Sequence, residues 1–231
     1  MQKLRAAFKY FWARLFSIMN IPAIVYDIVI TQTLTRYVYR DFYATAKDKI
    51  QSSKAILDVG IGTGYALESI IGRIPESTNV LGLDIDPAYV KSAQKRFARR
   101  KNVEVRLEDF YKFDAERQKF DIIIFSMSIM LMPDQVKAIE IAKSLLADDG
   151  RIYFLLTLQN KKNKLLEKIK PIIKYVTTID FGKVTYENEF DALREKCELT
   201  TLKKHRVMPP ANPLLKFFRT FTIECVPEKK K

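Results

Sequence analysis

From residue 54 to residue 158 two kinds of apolar run alternate. Short, nearly continuous ones (KAILDV, NVLGLDI, VEVRL, FDIIIFS, GRIYFLLTL) are separated by longer stretches, of which GYALESIIGRI, PAYVKSAQKRFARR and DQVKAIEIAKSLLA repeat at helical spacing. Strands that are apolar almost throughout belong in a parallel sheet covered on both faces, so the pattern predicts an α/β domain. Pro87 suits a first helical turn, and Asp134 suits an N-cap. Past residue 160 the alternation loosens. KKNKLLEKIKPIIKYV reads as a Lys-rich helix interrupted by Pro171, and YENEFDALREKC as another helix. LTTLKKHRV and FFRTFTIECV read as two closing strands around the loop MPPANPLL. There is no internal repeat.

The first 20 residues follow a different pattern. They hold no Asp or Glu, and Leu4, Phe8, Phe11, Leu15 and Met19 form a helical stripe from which Lys3, Arg5, Lys9 and Arg14 are excluded. This is the signature of a basic amphipathic helix of the membrane-surface kind. NIPA reads as a break, after which a second helix runs into YVYRDFYATAKDKI. The longest uncharged run in this part, residues 15–26, has 12 residues and contains Asn20 and Pro22. A span needs about 20 apolar residues. No small-residue cleavage site follows, which argues against a secretory signal. The expected organisation is a helical extension over residues 1–50 and one α/β domain over residues 51–231.

Charge sharpens that division. Residues 1–50 carry eight Lys/Arg against three Asp/Glu, residues 51–160 carry fifteen of each, and residues 161–231 carry seventeen against nine. The net +13 therefore lies on the flanks, which are suited to an anionic membrane surface or nucleic acid; a plain basic surface is the alternative. Cys197 and Cys225 are the only cysteines and His205 the only histidine. No disulfide framework, zinc motif or His-cluster mechanism is encoded, and a reducing, intracellular compartment is expected.

Between the first strand and its helix stands AILDVGIGTGYALESI, with Asp58, Gly60, Gly62 and Gly64 spaced D-x-G-x-G-x-G. A dinucleotide fingerprint would place glycine where this chain has Tyr65. Asp58 at the strand end would repel a pyrophosphate and attract an ammonium group. Asp84 ends the next strand, twenty residues after Gly64, where a carboxylate can accept both ribose hydroxyls. A ligand with an amino-acid end, a ribose and a base meets these demands, as S-adenosylmethionine does.

Residues 52–158 resemble the class I S-adenosylmethionine-dependent methyltransferases. LDVGIGTG is similar to the family's first motif, GLDID to its second, LEDFYKF to the third-strand segment, FDIIIFSMSIMLMPD to the fourth motif, and LLADDGRIYF to the turn into the fifth strand. A nicotinamide-binding fold is the competitor. The resemblance implies a Rossmann-like, mostly parallel seven-stranded sheet with helices on both faces. It implies that Asp58, Gly60, Gly62 and Gly64 hold the methionine part, Asp84 the ribose, and Ile85 the adenine face. Asp109 (with Glu108 as a rival) and the Phe110 amide would meet the adenine edge. Ser126 and Met127 would line the cofactor near its methyl group. In relatives the helix before the first strand closes over the cofactor, so one of Tyr37, Tyr39 and Tyr43 could touch it; core packing is the alternative.

Absences narrow the acceptor. SMSIMLMPD lacks the Asn/Asp-Pro-Pro-aromatic loop of enzymes acting on exocyclic amines, and holds no cysteine for a covalent adduct to cytosine. No acidic cluster suggests a metal. Residues 127–131 form a Met-rich wall suited to an apolar acceptor, or ordinary core. Leu214, Leu215 and Phe217 could form a second lip or belong to the next strand. His205 is a candidate base or a structural residue, and no catalytic residue is assigned. The expected partner is a lipid-like small molecule met at an anionic membrane surface. The alternatives are RNA or an acidic protein held by the basic flanks, a mitochondrial presequence, and a non-catalytic assembly partner. No feature sets an oligomeric state.

Overall fold

The computed structural model describes residues 36–115, 118–160, 184–207 and 219–228. The amphipathic stretch of residues 1–20, the NIPA break, the Lys-rich helix around Pro171 and the MPPANPLL loop lie outside the described residues.

Thirteen described elements follow in chain order. They are α1 (Arg36–Ser52), β1 (Ala55–Val59), α2 (Tyr65–Ile71), β2 (Asn79–Asp84), α3 (Pro87–Phe97) and β3 (Val103–Leu107). Then come β4 (Phe120–Ser126), a 3-10 turn (Ile129–Leu131), α4 (Gln135–Leu145), β5 (Leu146–Thr157), α5 (Glu187–Lys196), β6 (Leu199–Arg206) and β7 (Thr220–Pro227). Seven strands form one sheet in the order β3-β2-β1-β4-β5-β7-β6. β1 to β5 pair in parallel, and β7 runs antiparallel between β5 and β6. This is the mostly parallel seven-stranded sheet that the resemblance implies, with a single reversed strand among the described residues.

Alternation along the central strands divides the core into two layers. Ile56, Val80, Ile122, Ile124, Tyr153 and Leu155 pack with α1, α2 and α3. Their neighbours Leu57, Leu81, Ile123, Ile152 and Phe154 pack with α4 and α5 on the opposite face. Burying each such side chain contributes roughly 1.5–3 kcal/mol. α1 presents Val38, Tyr39, Phe42, Ala46 and Ile50 as a stripe at helical spacing, all five buried. It joins the core of the sheet, although residues 36–50 were grouped with the N-terminal extension on sequence pattern. The boundary at residue 50 falls within this helix.

Local chemistry sets the element ends. The Asp86 carboxylate accepts the Ala88 and Tyr89 N–H groups ahead of α3, and Pro87 occupies its first turn. Asp134 accepts the Lys137 N–H ahead of α4. β5 begins at Leu146, earlier than GRIYFLLTL suggests, because Leu146 pairs with Phe120 before the register shifts. No helix among the described residues is long and apolar enough to cross a membrane.

Candidate functional site

Strand order reverses direction between β1 and β4, since β1 leads outward to β2 and β3, and β4 leads the other way. A crevice forms at such a switch point, at the carboxyl ends of the strands. There the β1–α2 loop, Asp84, and the residues after β4 come together.

The loop is tied to the second strand from both sides. Gly60 and Ile61 N–H groups donate to the Leu83 carbonyl at 2.8 and 3.0 Å, and the Gly62 N–H donates to Asp84 Oδ2 at 2.8 Å. The three glycines of the motif serve different ends. A Cβ on Gly60 would stand 2.6 Å from Ser128 Cβ, and one on Gly64 would stand 2.5 Å from the Phe97 ring of α3. Both permit close internal packing. Gly62, at φ 59°, has nothing within 4 Å of that position, so there the bare backbone faces open space.

Asp58 is fully buried. It lies two residues after Ile56 and so points to the α1 face, where the Tyr39 hydroxyl donates to its Oδ2 at 2.7 Å. Its Oδ1 is buried and has no partner among the described residues. Burial raises the Asp58 carboxyl to about 7; the Tyr39 bond opposes this and the Asp84 charge adds to it. Burial, then the Asp58 charge, pushes the Tyr39 phenol well above its usual range.

Asp84 accepts the Gly62 N–H on Oδ2 and the Asp86 N–H on Oδ1, leaving a further lone pair on each oxygen. Beside it Ile85 is 73% exposed, and Leu107, the β3 register partner of Asp84, is 56% exposed. Asp109 accepts the Tyr111 N–H at 3.0 Å, and the Phe110 ring is buried edge-on against Phe125. Tyr111 in turn donates to the Asp134 carbonyl at 2.8 Å, tying this segment to the start of α4.

Ser126 ends β4, and Met127 follows at φ 55°, a conformation that costs a side-chain-bearing residue about 1–2 kcal/mol. Its N–H donates to the Leu155 carbonyl at 2.8 Å. The turn re-aims the chain, so that Ser128 faces the glycine loop and its buried Oγ lacks a partner among the described residues. Ile129 is buried, Met130 is partly exposed and Leu131 is 46% exposed. Among the described residues no three His, Cys, Asp or Glu side chains are grouped to hold a metal ion.

Residues 50–212 match the family described as "Methyltransferase domain". The chain belongs to the class I S-adenosylmethionine-dependent methyltransferases. Malonyl-[acyl-carrier protein] O-methyltransferase 1 of Ilyobacter polytropus is 31% identical over 153 residues, covering 66% of this chain and 53% of the relative. Aklanonic acid methyltransferase of a Streptomyces species is 28% identical over 105 residues, 45% of this chain and 48% of the relative. The chain thus spans about half the length of these curated relatives. A SAM dependent methyltransferase from Aquifex aeolicus superposes with a TM-score of 0.63 at 16% identity, over 92% of this chain and 97% of the other, which establishes likeness of fold.

Two residues packed beside the β1–α2 loop and Asp58 escape a reading by motif. Ser128 lies beyond the end of β4, past the turn at Met127, and no motif spacing marks it. Tyr39 was one of three tyrosines on a helix, and it both packs in the core and bonds Asp58. His205 lies elsewhere. It sits on edge strand β6, three strands from β4 and roughly 14 Å away at strand spacing, with Nε2 at 3.0 Å from Asp41 Oδ1.

Proposed function

We propose that this chain binds S-adenosylmethionine across the ends of β1, β2 and β4 and methylates an amphipathic, lipid-like small molecule at a membrane surface. One observation carries the cofactor half: a buried carboxylate oxygen, Asp58 Oδ1, without a partner among the described residues, at the start of a loop in which the Gly62 backbone faces open space. An ammonium group satisfies the first, and a close-lying chain the second. When bound, S-adenosylmethionine supplies an electrophilic methyl group whose leaving group is a neutral thioether. Departure therefore needs no acid, and the protein's task is binding and alignment.

Asp58 and the Gly60–Gly62–Gly64 loop would hold the methionine part, and the remaining lone pairs of Asp84 the ribose hydroxyls. Exposed Ile85 offers the adenine an apolar face, with Asp109 and the Phe110 amide at its edge. Ser126 and Met127 stand beside the reacting end. Met130 and Leu131 extend that side as an apolar wall for the acceptor. A small-molecule acceptor agrees with the names of the relatives, which concern an acyl carrier-bound malonyl group and aklanonic acid. The membrane surface is inferred from the acid-free amphipathic stripe of residues 1–20, in which Trp12 accompanies the aromatics. RNA would be served by the same charges but does not require the stripe.

Methyl-labelled cofactor incubated with total lipid, RNA and protein extracts tests this reading, using full-length chain and a deletion of residues 1–19. Label should enter the lipid fraction and fall with the deletion. Label in RNA that survives protease and phenol extraction would refute the acceptor assignment.

A further inference from the structure

Asp58 is a buried carboxylate to which the described residues bring no cation. The groups facing it are the Tyr39 phenol from α1, the Asp84 carboxylate from the end of β2, and the glycine loop, which contributes backbone alone. The Ser126 hydroxyl, at the end of β4, lies against the same phenol. Tyr39 is thus the one described hydrogen-bond donor to the carboxylate, at 2.7 Å. Its ring is fixed edge-on against Phe42, which packs edge-on against Tyr153, so the hydroxyl is held in place before any ligand arrives.

We propose that Tyr39 is a positioning residue for cofactor capture: its hydroxyl pins Oδ2 of Asp58 and favours the ionised carboxylate, leaving Oδ1 to receive the ligand's ammonium group. This rests on the cofactor reading above. A lysine at this position would neutralise Asp58 internally and remove its attraction for a cation. A phenol donates one hydrogen bond and leaves the negative charge available. Burial opposes ionisation and holds the unliganded carboxyl near half-protonation at neutral pH. An arriving ammonium group tips the carboxyl to its ionised form, so binding expels a proton. Loss of the phenol hydroxyl removes a stabiliser of the anion and moves that balance to higher pH.

The test is calorimetric titration of the full chain with S-adenosylmethionine from pH 5.5 to 7.5, in two buffers of different protonation enthalpy. The α-amino group of the ligand, which ordinarily titrates at about 7.7–8.0, is mostly protonated below pH 7, so the change in affinity there reports the protein. Wild-type affinity should fall as pH drops below 7, towards a limit of about tenfold per unit, with proton release on binding. Tyr39→Phe keeps the ring, which preserves packing. It should bind about tenfold more weakly at pH 6.5, with its midpoint moved up by about one unit and more proton released. Asp58→Asn should bind weakly with a flat profile. A pH-independent wild type, or Tyr39→Phe weakened by one factor at every pH with unchanged proton release, would overturn the role of Tyr39 while leaving cofactor binding in place. A wild type that binds no cofactor at any pH would overturn the cofactor reading and this inference with it.

Discussion

Asp58 and Glu224 stand in one cross-strand row on the α1 side of the sheet, linked by the pairs Asp58–Ile124, Ile124–Tyr153 and Tyr153–Glu224. Both are buried, at 0% and 2% exposure. Glu224 has the Arg151 guanidinium bonded to Oε1 and the Lys203 ammonium 3.8 Å from Oε2. Asp58 has a neutral phenol and a like-charged neighbour. The protein itself compensates the charge of Glu224, whereas no cation among the described residues compensates that of Asp58. A buried acid is therefore no guide to function until its cations are counted.

Breaking the compensated pair should give the largest effect. Arg151→Met leaves Glu224 with a lone, more distant cation, and should lower unfolding free energy by about 3 kcal/mol in urea denaturation. Asp58→Asn should behave oppositely. In the fold the Asp58 carboxyl is raised from 3.8 to about 7, so the stability it contributes is complete below pH 4 and lost as pH rises through 7. Wild type should lose roughly 1 kcal/mol through this group between pH 6 and 8, and Asp58→Asn should lose none of it. A wild type without that slope would place the two acids in one class.

The glycine loop sharpens the contrast between residues that pack and residues that bind. Gly64→Ala forces a methyl group against Phe97 and Ala93 in a left-handed conformation, and should cost about 2–3 kcal/mol of stability. Gly62→Ala meets nothing in the protein and should cost about 1 kcal/mol from its positive φ, yet weaken cofactor binding at least as much as Gly64→Ala does. Chemical denaturation and calorimetric titration of both variants separate the two effects. Equal stability losses would remove the distinction.

The smallest effect is expected at His205, on the edge strand β6. Its contact with Asp41 is half exposed, and Thr222 also donates to Asp41 at 2.8 Å. His205→Ala should change stability by less than about 1 kcal/mol and leave methyl transfer intact. Abolished turnover with retained cofactor affinity would return His205 to the list of candidate bases.

Strand and helix identities in the cofactor half were legible in the chain, because near-continuous apolar runs and helical stripes are local and burial rewards them at short range. Motif spacing likewise located the D-x-G-x-G-x-G loop and Asp84, since a turn that needs glycine leaves its mark in adjacent residues. The insertion of β7 between β5 and β6 was not legible, for the pairing partners lie too far apart in sequence for any local period to record them. Nor could the sequence rank Tyr37, Tyr39 and Tyr43, because the phase at which α1 lies on the sheet selects the one that reaches Asp58. The same holds for the three glycines, alike in the motif, of which tertiary packing closes two positions and leaves Gly62 open. Residue types and their spacing thus set which groups were available. Which of the buried acids went without a cation among the described residues was decided by the sheet register, which brings Arg151 to Glu224 and none to Asp58.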